Sequence, residues 1–493
     1  MRTNTMKKVT LAATCLAIAA ITPTAWALPD GNTIEFSNCM LSMPGSPATA
    51  AARCGRLEVP ENPDEPGGRM ISLHIAVADA SDPQPEADPL FFFAGGPGQA
   101  ATETWPMIRG SLRGINKTRD IVMIDQRGTG GSNKLQCPAE DMPDLNAEVD
   151  FDEIARLARE CLAGLDADTR YYTTTIAAGD VDAVRRAMGY EQVNIMGVSY
   201  GTRAAQVYLR EFPDRVRTMT LDSVVPMQLA LGQEHALMLD SALNRVLDDC
   251  AADAACRERF PDPRQGLARL LADLRSNPRS ITIINPVTGE QEPLTVTAET
   301  LAVAIRFLSY SSESQAVLPL LLHEAVTEDR LDRLATQAMM VVGNLGEMIA
   351  RGMEMSVMCA EDYPFMNFGA DYSDTLIGNL MLKGIQAQCR EWPAGKVPDD
   401  FHEPFQAELP VLLLSGERDP VTPPAYATRA AAAYPNHLDL VADGLGHSVL
   451  RNVCLQQVAT DFITTGSVDE VDTACVDDIE GSPFFTTLLG PEP

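Results

Sequence analysis

The stretch VNIMGVSYGTRAAQ, Val193 to Gln206, runs from an apolar segment through Gly197-Val198-Ser199-Tyr200-Gly201 into an alanine-rich one. The first part has strand character and the part from Thr202 has helix character, so Ser199 stands on the turn between them. Small residues two positions either side of the serine suit a bend that brings strand and helix close and leaves the hydroxyl on its tip. The same pattern also arises by chance around an ordinary turn serine. The rest of the chain has to decide.

Outward from this point the design repeats. PLFFFAGGPGQAA and RDIVMIDQRGTGGS on the N-terminal side are each a short apolar run followed by a glycine-rich loop. TMTLDSVVP, PVLLLSGERDPVTPP and LDLVADGLGHSVL do the same on the C-terminal side. Helical patterns at 150–165 and 176–189, and in the stretch after Gly201, lie between the strands. Strands alternating with helices predict an α/β protein: a mostly parallel central sheet covered by helices on both faces. Ligands of such sheets bind beyond the C-terminal ends of the strands, where every one of these loops falls. RLEVP and MISLHIAVADA read as antiparallel strands ahead of this unit, and residues 28–55 read as an irregular, disulfide-tethered entry. From Met227 to Pro404 helical segments dominate, interrupted by a hairpin with Thr288-Gly289 at its turn. The organisation expected is therefore a first core part at 28–226, a helical insertion at 227–404 and a second core part at 405–493.

Residues 1–27 stand outside that plan. Arg2, Lys7 and Lys8 precede the apolar run Val9–Ile21, and Ala25-Trp26-Ala27 forms a small-x-small cleavage pattern near Ala27. This is the layout of a secretory signal peptide, which predicts a periplasmic or extracellular protein. Cys15 lies inside the apolar run rather than after it, which argues against a lipidated cysteine. No other stretch has 18 uninterrupted apolar residues, so no stable membrane insertion is expected. The net charge of −30 becomes −33 once the leader is removed, a balance that repels nucleic acid and anionic membrane. The other ten cysteines, an even number in an exported chain, read as disulfides between sequence neighbours. Those pairs are Cys39–Cys54, Cys137–Cys161, Cys250–Cys256, Cys359–Cys389 and Cys454–Cys475. No C-x-x-C spacing occurs and the histidines are scattered, so no metal site is expected.

A serine hydroxyl needs a base to take its proton and an acid to orient the base. Of the six histidines, His74, His235, His323, His402 and His437 lie in strand, helix or polar settings, whereas His447 sits in a glycine-lined loop directly after a strand. Asp419 and Asp222 each follow a strand and compete for the third position. Asp419 is favoured by its rigid, proline-rich loop and by preceding His447 by one helix-plus-strand unit; Asp222 then caps the turn into the insertion. Backbone donors for an oxyanion are expected from Tyr200, after the nucleophile, and from Gly96 in AGGPG, since Pro97 has no N–H.

Taken together, GGPG, DQRGTGGS, GVSYG, GERDPVTPP and GLGHS resemble the proline iminopeptidase and tripeptidyl aminopeptidase family of α/β-hydrolases. CGRLEVP, CAADAACRERF and the C-terminal cysteine pair bring the chain closer to the exported tripeptidyl aminopeptidase branch. Ala94 departs from the histidine usual in the iminopeptidases, so proline specificity does not follow. The resemblance implies an α/β-hydrolase fold with a helical cap and a serine exopeptidase without cofactor, acting on peptides with free N-termini. It also implies cap carboxylates for the substrate ammonium, for which Glu361 and Asp362 are the candidates. An esterase or lipase-like hydrolase with the same three residues is the alternative, and a binding protein that lost catalysis is a third.

Overall fold

Runs of four to seven β-branched and aliphatic residues build the centre of a nine-stranded sheet in the computed structural model, which describes residues 33–138, 149–285 and 289–491. The strands in chain order are β1 (Ser37–Ser42), β2 (Thr49–Pro60), β3 (Met70–Ala78), β4 (Leu90–Phe93), β5 (Ile121–Ile124), β6 (Val193–Val198), β7 (Val216–Asp222), β8 (Arg279–Ile284), β9 (Gln291–Val296), β10 (Val411–Gly416) and β11 (His437–Ala442). All but β8 and β9 join one sheet, in the order β1-β2-β3-β5-β4-β6-β7-β10-β11. The first three strands and β5 pair antiparallel; from β5 through β11 every pairing is parallel. The C-terminal ends of β4, β6, β7, β10 and β11 therefore share one edge.

Alternation within the strands gives each face its own core. Phe91, Val122, Ile195 and Leu413 pack on one side under α3 (Thr174–Ala187), α4 (Tyr200–Glu211) and α13 (Pro424–Ala431). Their neighbours Phe92, Met123, Met196 and Leu412 pack on the other, against Trp105 of α1 (Ala101–Ile108) and Leu455, Val458 and Phe462 of α14 (Val453–Thr465). Covering both faces requires the near-continuous apolar runs that parallel strands show. Helix α2 (Phe151–Gly164) starts at Asp150, whose side chain accepts from the Asp152 and Glu153 amides.

Between β7 and β10, which are neighbours in the sheet, the chain makes a long helical excursion. Its helices are α5 (His235–Ala252), α6 (Ala254–Arg259), α7 (Pro263–Ser276), α8 (Ala298–Leu308), α9 (Ser312–Thr327), α10 (Leu331–Met348), α11 (Arg351–Val357) and α12 (Leu380–Cys389). Leu243, Leu270, Leu301, Leu318 and Leu334 give this segment a core of its own. β8 and β9 form its antiparallel hairpin; Thr288 of the expected turn lies outside the described residues, and Gly289 has φ 73°. Residues 1–27, read as a signal peptide, also lie outside them.

The entry segment differs from expectation. Residues 37–42 and 49–60 are not irregular but form the edge hairpin β1–β2, with Cys39 opposite Ala52. Cross-strand backbone bonds, with the Cys39–Cys54 disulfide beside them, supply the order that sequence periodicity does not announce. The other four bridges are Cys137–Cys161, Cys250–Cys256, Cys359–Cys389 and Cys454–Cys475. Cys137, Cys161, Cys359 and Cys389 pack in one cluster with Trp392. Closing the 30-residue separation of Cys359–Cys389 constrains the unfolded chain by about 3–4 kcal/mol. The double variant Cys359→Ser/Cys389→Ser is expected to lose stability of that order in urea unfolding, with far-UV circular dichroism unchanged at zero denaturant.

Candidate active site

Ser199 joins β6 to α4 with φ 57° and ψ −127°, a conformation that costs a non-glycine residue about 1–3 kcal/mol. Its surroundings impose it. The Ser199 N–H donates to the Asp222 carbonyl at 2.9 Å, and the Ser199 carbonyl accepts from the Thr202 hydroxyl at 2.6 Å. A Cβ on Gly197 would overlap the Gly201 carbonyl, and one on Gly201 would overlap the Phe93 carbonyl. The two glycines are thus required by backbone packing on backbone. A Cβ on Gly95 would lie 3.1 Å from the Ser199 Cβ, which sets the loop after β4 directly against the serine. In that loop Gly96 has φ 108°. The Tyr200 N–H opens α4, where helix donors have no intrahelical acceptor.

The loop after β10 presents Asp419, which is fully buried. Its Oδ1 accepts from the Val421 and Thr422 amides, both at 2.8 Å; its Oδ2 accepts from the Thr422 hydroxyl at 2.7 Å and faces His447 Nδ1 at 2.8 Å. Burial alone would raise the Asp419 carboxyl, but the charge of His447 and these hydrogen bonds hold it down to about 2. Burial alone would lower His447, and the Asp419 carboxylate beside it outweighs that, so the imidazole titrates above its ordinary range.

The loop carrying His447 is gripped from two sides. From the helical excursion, the Tyr310 carbonyl accepts the His447 N–H at 2.7 Å, the Ser312 hydroxyl accepts the Gly446 N–H at 3.1 Å, and the Tyr310 ring meets the imidazole edge-on at 5.4 Å. From the sheet, Asp222 accepts the Val449 and Leu450 amides at 2.9 and 3.2 Å. Asp222 makes no hydrogen bond to the imidazole ring; the sequence led to the expectation that it caps the turn into the excursion, but its two oxygens instead accept backbone amides behind His447, with the Ser223 hydroxyl 3.4 Å from one of them. The loop after β4 is also tied to the excursion, with the Ala350 N–H donating to the Gly98 carbonyl at 3.0 Å and Gln99 bridged to Ile349.

Comparison with known proteins agrees with this fold. Residues 88–258 match the family described as alpha/beta hydrolase fold, and residues 374–475 match the one described as TAP-like protein. The chain has the α/β-hydrolase fold. It is 25% identical to serine protease Hip1 of Mycobacterium tuberculosis, over 90% of this chain and 91% of that protein. It is 24% identical to tripeptidyl aminopeptidase of Streptomyces lividans, over 86% and 83% of the two. A putative hydrolase of Escherichia coli, YuaR, is 22% identical over 86% and 89%.

Within this α/β-hydrolase the two cap carboxylates do not stand open. The Glu361 carboxylate accepts from the Thr174 amide at 2.6 Å and hydroxyl at 2.8 Å, and that hydroxyl also meets the Tyr200 hydroxyl at 2.6 Å. Burial pushes Glu361 up to about 7. Asp362 pairs with Arg203 of α4 at 2.7 Å and accepts the Leu231 amide at 2.7 Å, with neither member of the ion pair exposed. Glu361 thus fastens the excursion to the start of α3 and Asp362 fastens it to α4, so the pair expected to meet a substrate ammonium is buried against the core rather than on an open face. An acid pair in sequence carries no sign of whether its partners are intramolecular.

Four of the other five histidines are engaged elsewhere. His74 meets Asp125, His402 two backbone carbonyls, His437 the Tyr434 carbonyl and His323 the Phe260 ring. Burial drives His235 down to about 3. Three supporting residues were not visible in the sequence: Thr422, Tyr310 and Ser223. Thr422 had a signal, since a threonine three residues after an aspartate forms a local turn with it; Tyr310 had none, because its contact spans 137 residues of chain.

Because Asp419 raises His447, kcat/KM for an activated ester is expected to fall on the acid side above the ordinary histidine pKa of about 6.5. In Asp419→Asn that limb moves to lower pH and kcat drops about 10³- to 10⁴-fold with KM little changed. A pH–rate profile of both proteins checks it; an unmoved limb contradicts the assignment.

Proposed function

We propose that this α/β-hydrolase is an exported serine exopeptidase that cleaves peptides from their free N-termini. The observation that carries the reading is the Asp419–His447 pair on the sheet edge where Ser199 is held in a forced turn against a glycine loop. His447 takes the proton of Ser199 as the hydroxyl attacks the scissile carbonyl. Asp419 fixes the imidazole tautomer and stabilises the imidazolium. The Tyr200 and Gly96 N–H groups receive the charge of the tetrahedral oxygen. His447 then protonates the leaving amine, and water attacks the acyl-enzyme with the same histidine as base. The reaction needs no group beyond these side chains, two amides and water.

Three further points support the peptidase form of the reading. The relatives that match most of the chain are named as a serine protease and a tripeptidyl aminopeptidase. The helical excursion is bonded to both the histidine loop and the loop after β4, so it acts as a cap that admits chain ends and excludes folded proteins. Five disulfides fit an oxidising compartment, in keeping with a signal peptide at 1–27 and delivery to the periplasm or beyond. Among the described residues no helix is long and apolar enough to cross a membrane.

Ester hydrolysis by the same residues is the competing reading, and substrate amines separate the two. Matched aminoacyl and tripeptidyl amides are expected to lose at least about 100-fold in kcat/KM when the amine is acetylated, whereas short-chain esters are not. Equal rates on free and blocked amides sink the exopeptidase reading. A fluorophosphonate probe is expected to label the wild type and not Ser199→Ala; labelling of the variant would remove Ser199 from the mechanism.

A further inference from the structure

Asp222 is buried in the core, ends β7, and lies outside the proposed set of Ser199, His447 and Asp419. Its atoms nevertheless touch both halves of the site. The main-chain carbonyl holds the Ser199 N–H at 2.9 Å. The carboxylate holds the amides of Val449 and Leu450, two and three residues past His447, at 2.9 and 3.2 Å. The next residue extends the grip, with the Ser223 hydroxyl accepting the Ser448 N–H at 2.8 Å. Ser223 and Ser448 both take left-handed backbone, φ 61° and 67°. Three successive amides after the imidazole are thus received by one dipeptide whose backbone also anchors the nucleophile turn.

We propose that Asp222, in its ionised form, is a positioning residue that locks the histidine loop in register with Ser199. The proposal rests on the serine-hydrolase reading above. Only a carboxylate offers acceptors to both amides. A carboxylic acid turns one oxygen into a donor and sets an O–H against an N–H; an asparagine does the same with its NH2. Either change leaves the Ser199 anchor intact, since that bond uses the carbonyl of residue 222, so the loss falls on the histidine side. A displacement of the base of about 1 Å costs on the order of 100-fold in rate.

The charged groups that reach Asp222 are His447, on the loop after β11, and Asp419, on the loop after β10. Burial pushes Asp222 up to about 6, against the pull of the Val449 and Leu450 amides and of His447. Two protonations then disable the site on the acid side: that of His447, which must be neutral to accept a proton, and that of Asp222.

The test uses the mature protein, an activated ester as substrate and fluorophosphonate labelling of Ser199, neither of which depends on peptide specificity. The wild type is expected to show log kcat/KM falling with a slope of 1 where His447 protonates, above its ordinary value, and steepening toward 2 below about pH 6, where Asp222 protonates as well. In Asp222→Asn the slope stays at 1, kcat drops by about 10- to 100-fold and KM stays within about twofold. Ser223→Ala, which removes the Ser448 acceptor and the 3.4 Å contact of the Ser223 hydroxyl with Asp222 but keeps the carboxylate on its two amides, is expected to lose several-fold in kcat and keep the slope of 2. A wild-type slope that stays at 1, or a folded Asp222→Asn with wild-type labelling rate, overturns the proposal. If Asp222→Asn does not fold, the wild-type slope and Ser223→Ala decide. Failure of the exopeptidase reading looks different: ester turnover and labelling persist while no peptide is cut.

Discussion

The candidate site depends on one steric fact: the first turn of α4 lies directly on the last carbonyl of β4. Gly201 sits where any side chain would overlap the Phe93 oxygen, and Gly197 where any side chain would overlap Gly201 itself. That closeness forces the strand-to-helix bend, and the bend forces Ser199 into its left-handed conformation. It also draws the loop after β4 in beside the serine, so one contact positions both Ser199 and the glycine loop that carries Gly96. The strain at Ser199 is small beside the packing that holds it, with β6 and the flanking strands buried on both faces.

The opposite half of the site is held by acceptors rather than by contact. The histidine loop has little regular structure, and its order comes from where its amides go: Tyr310, Ser312, Ser223 and Asp222 receive five of them in succession from Gly446 to Leu450. Two of these acceptors belong to the helical excursion and two to β7 and the residue after it. The base is consequently sensitive to the docking of the excursion in a way that the serine is not.

This division explains what could be read from sequence. Parallel strands buried on both faces advertise themselves as apolar runs, and glycines forced by backbone contact appear as motifs; so β4, β6, β10 and β11 were legible, and so was the placement of Ser199, Asp419 and His447 on loops at strand ends. The β1–β2 hairpin was not, because an edge with mixed exposure carries no clear period. Nor were the partners of Asp222, Glu361 and Asp362: an acidic side chain looks the same whether it meets substrate, a distant arginine or a backbone amide. Those three differ only in what the fold brings to them across 131 to 228 residues of chain.

The five disulfides have a property that concerns how the chain is made rather than how it works. Their partners are separated by 15, 24, 6, 30 and 21 residues, and none of the loops they close overlaps another. Ten cysteines could pair in roughly 945 ways, yet a chain that emerges N-terminus first meets each correct partner before the next pair appears. Oxidation in order of appearance therefore yields the native set, with no call on an isomerase to reshuffle bonds. The connectivity is written into the order in which the chain emerges, and the excursion can be stapled before the second half of the sheet has arrived to receive it.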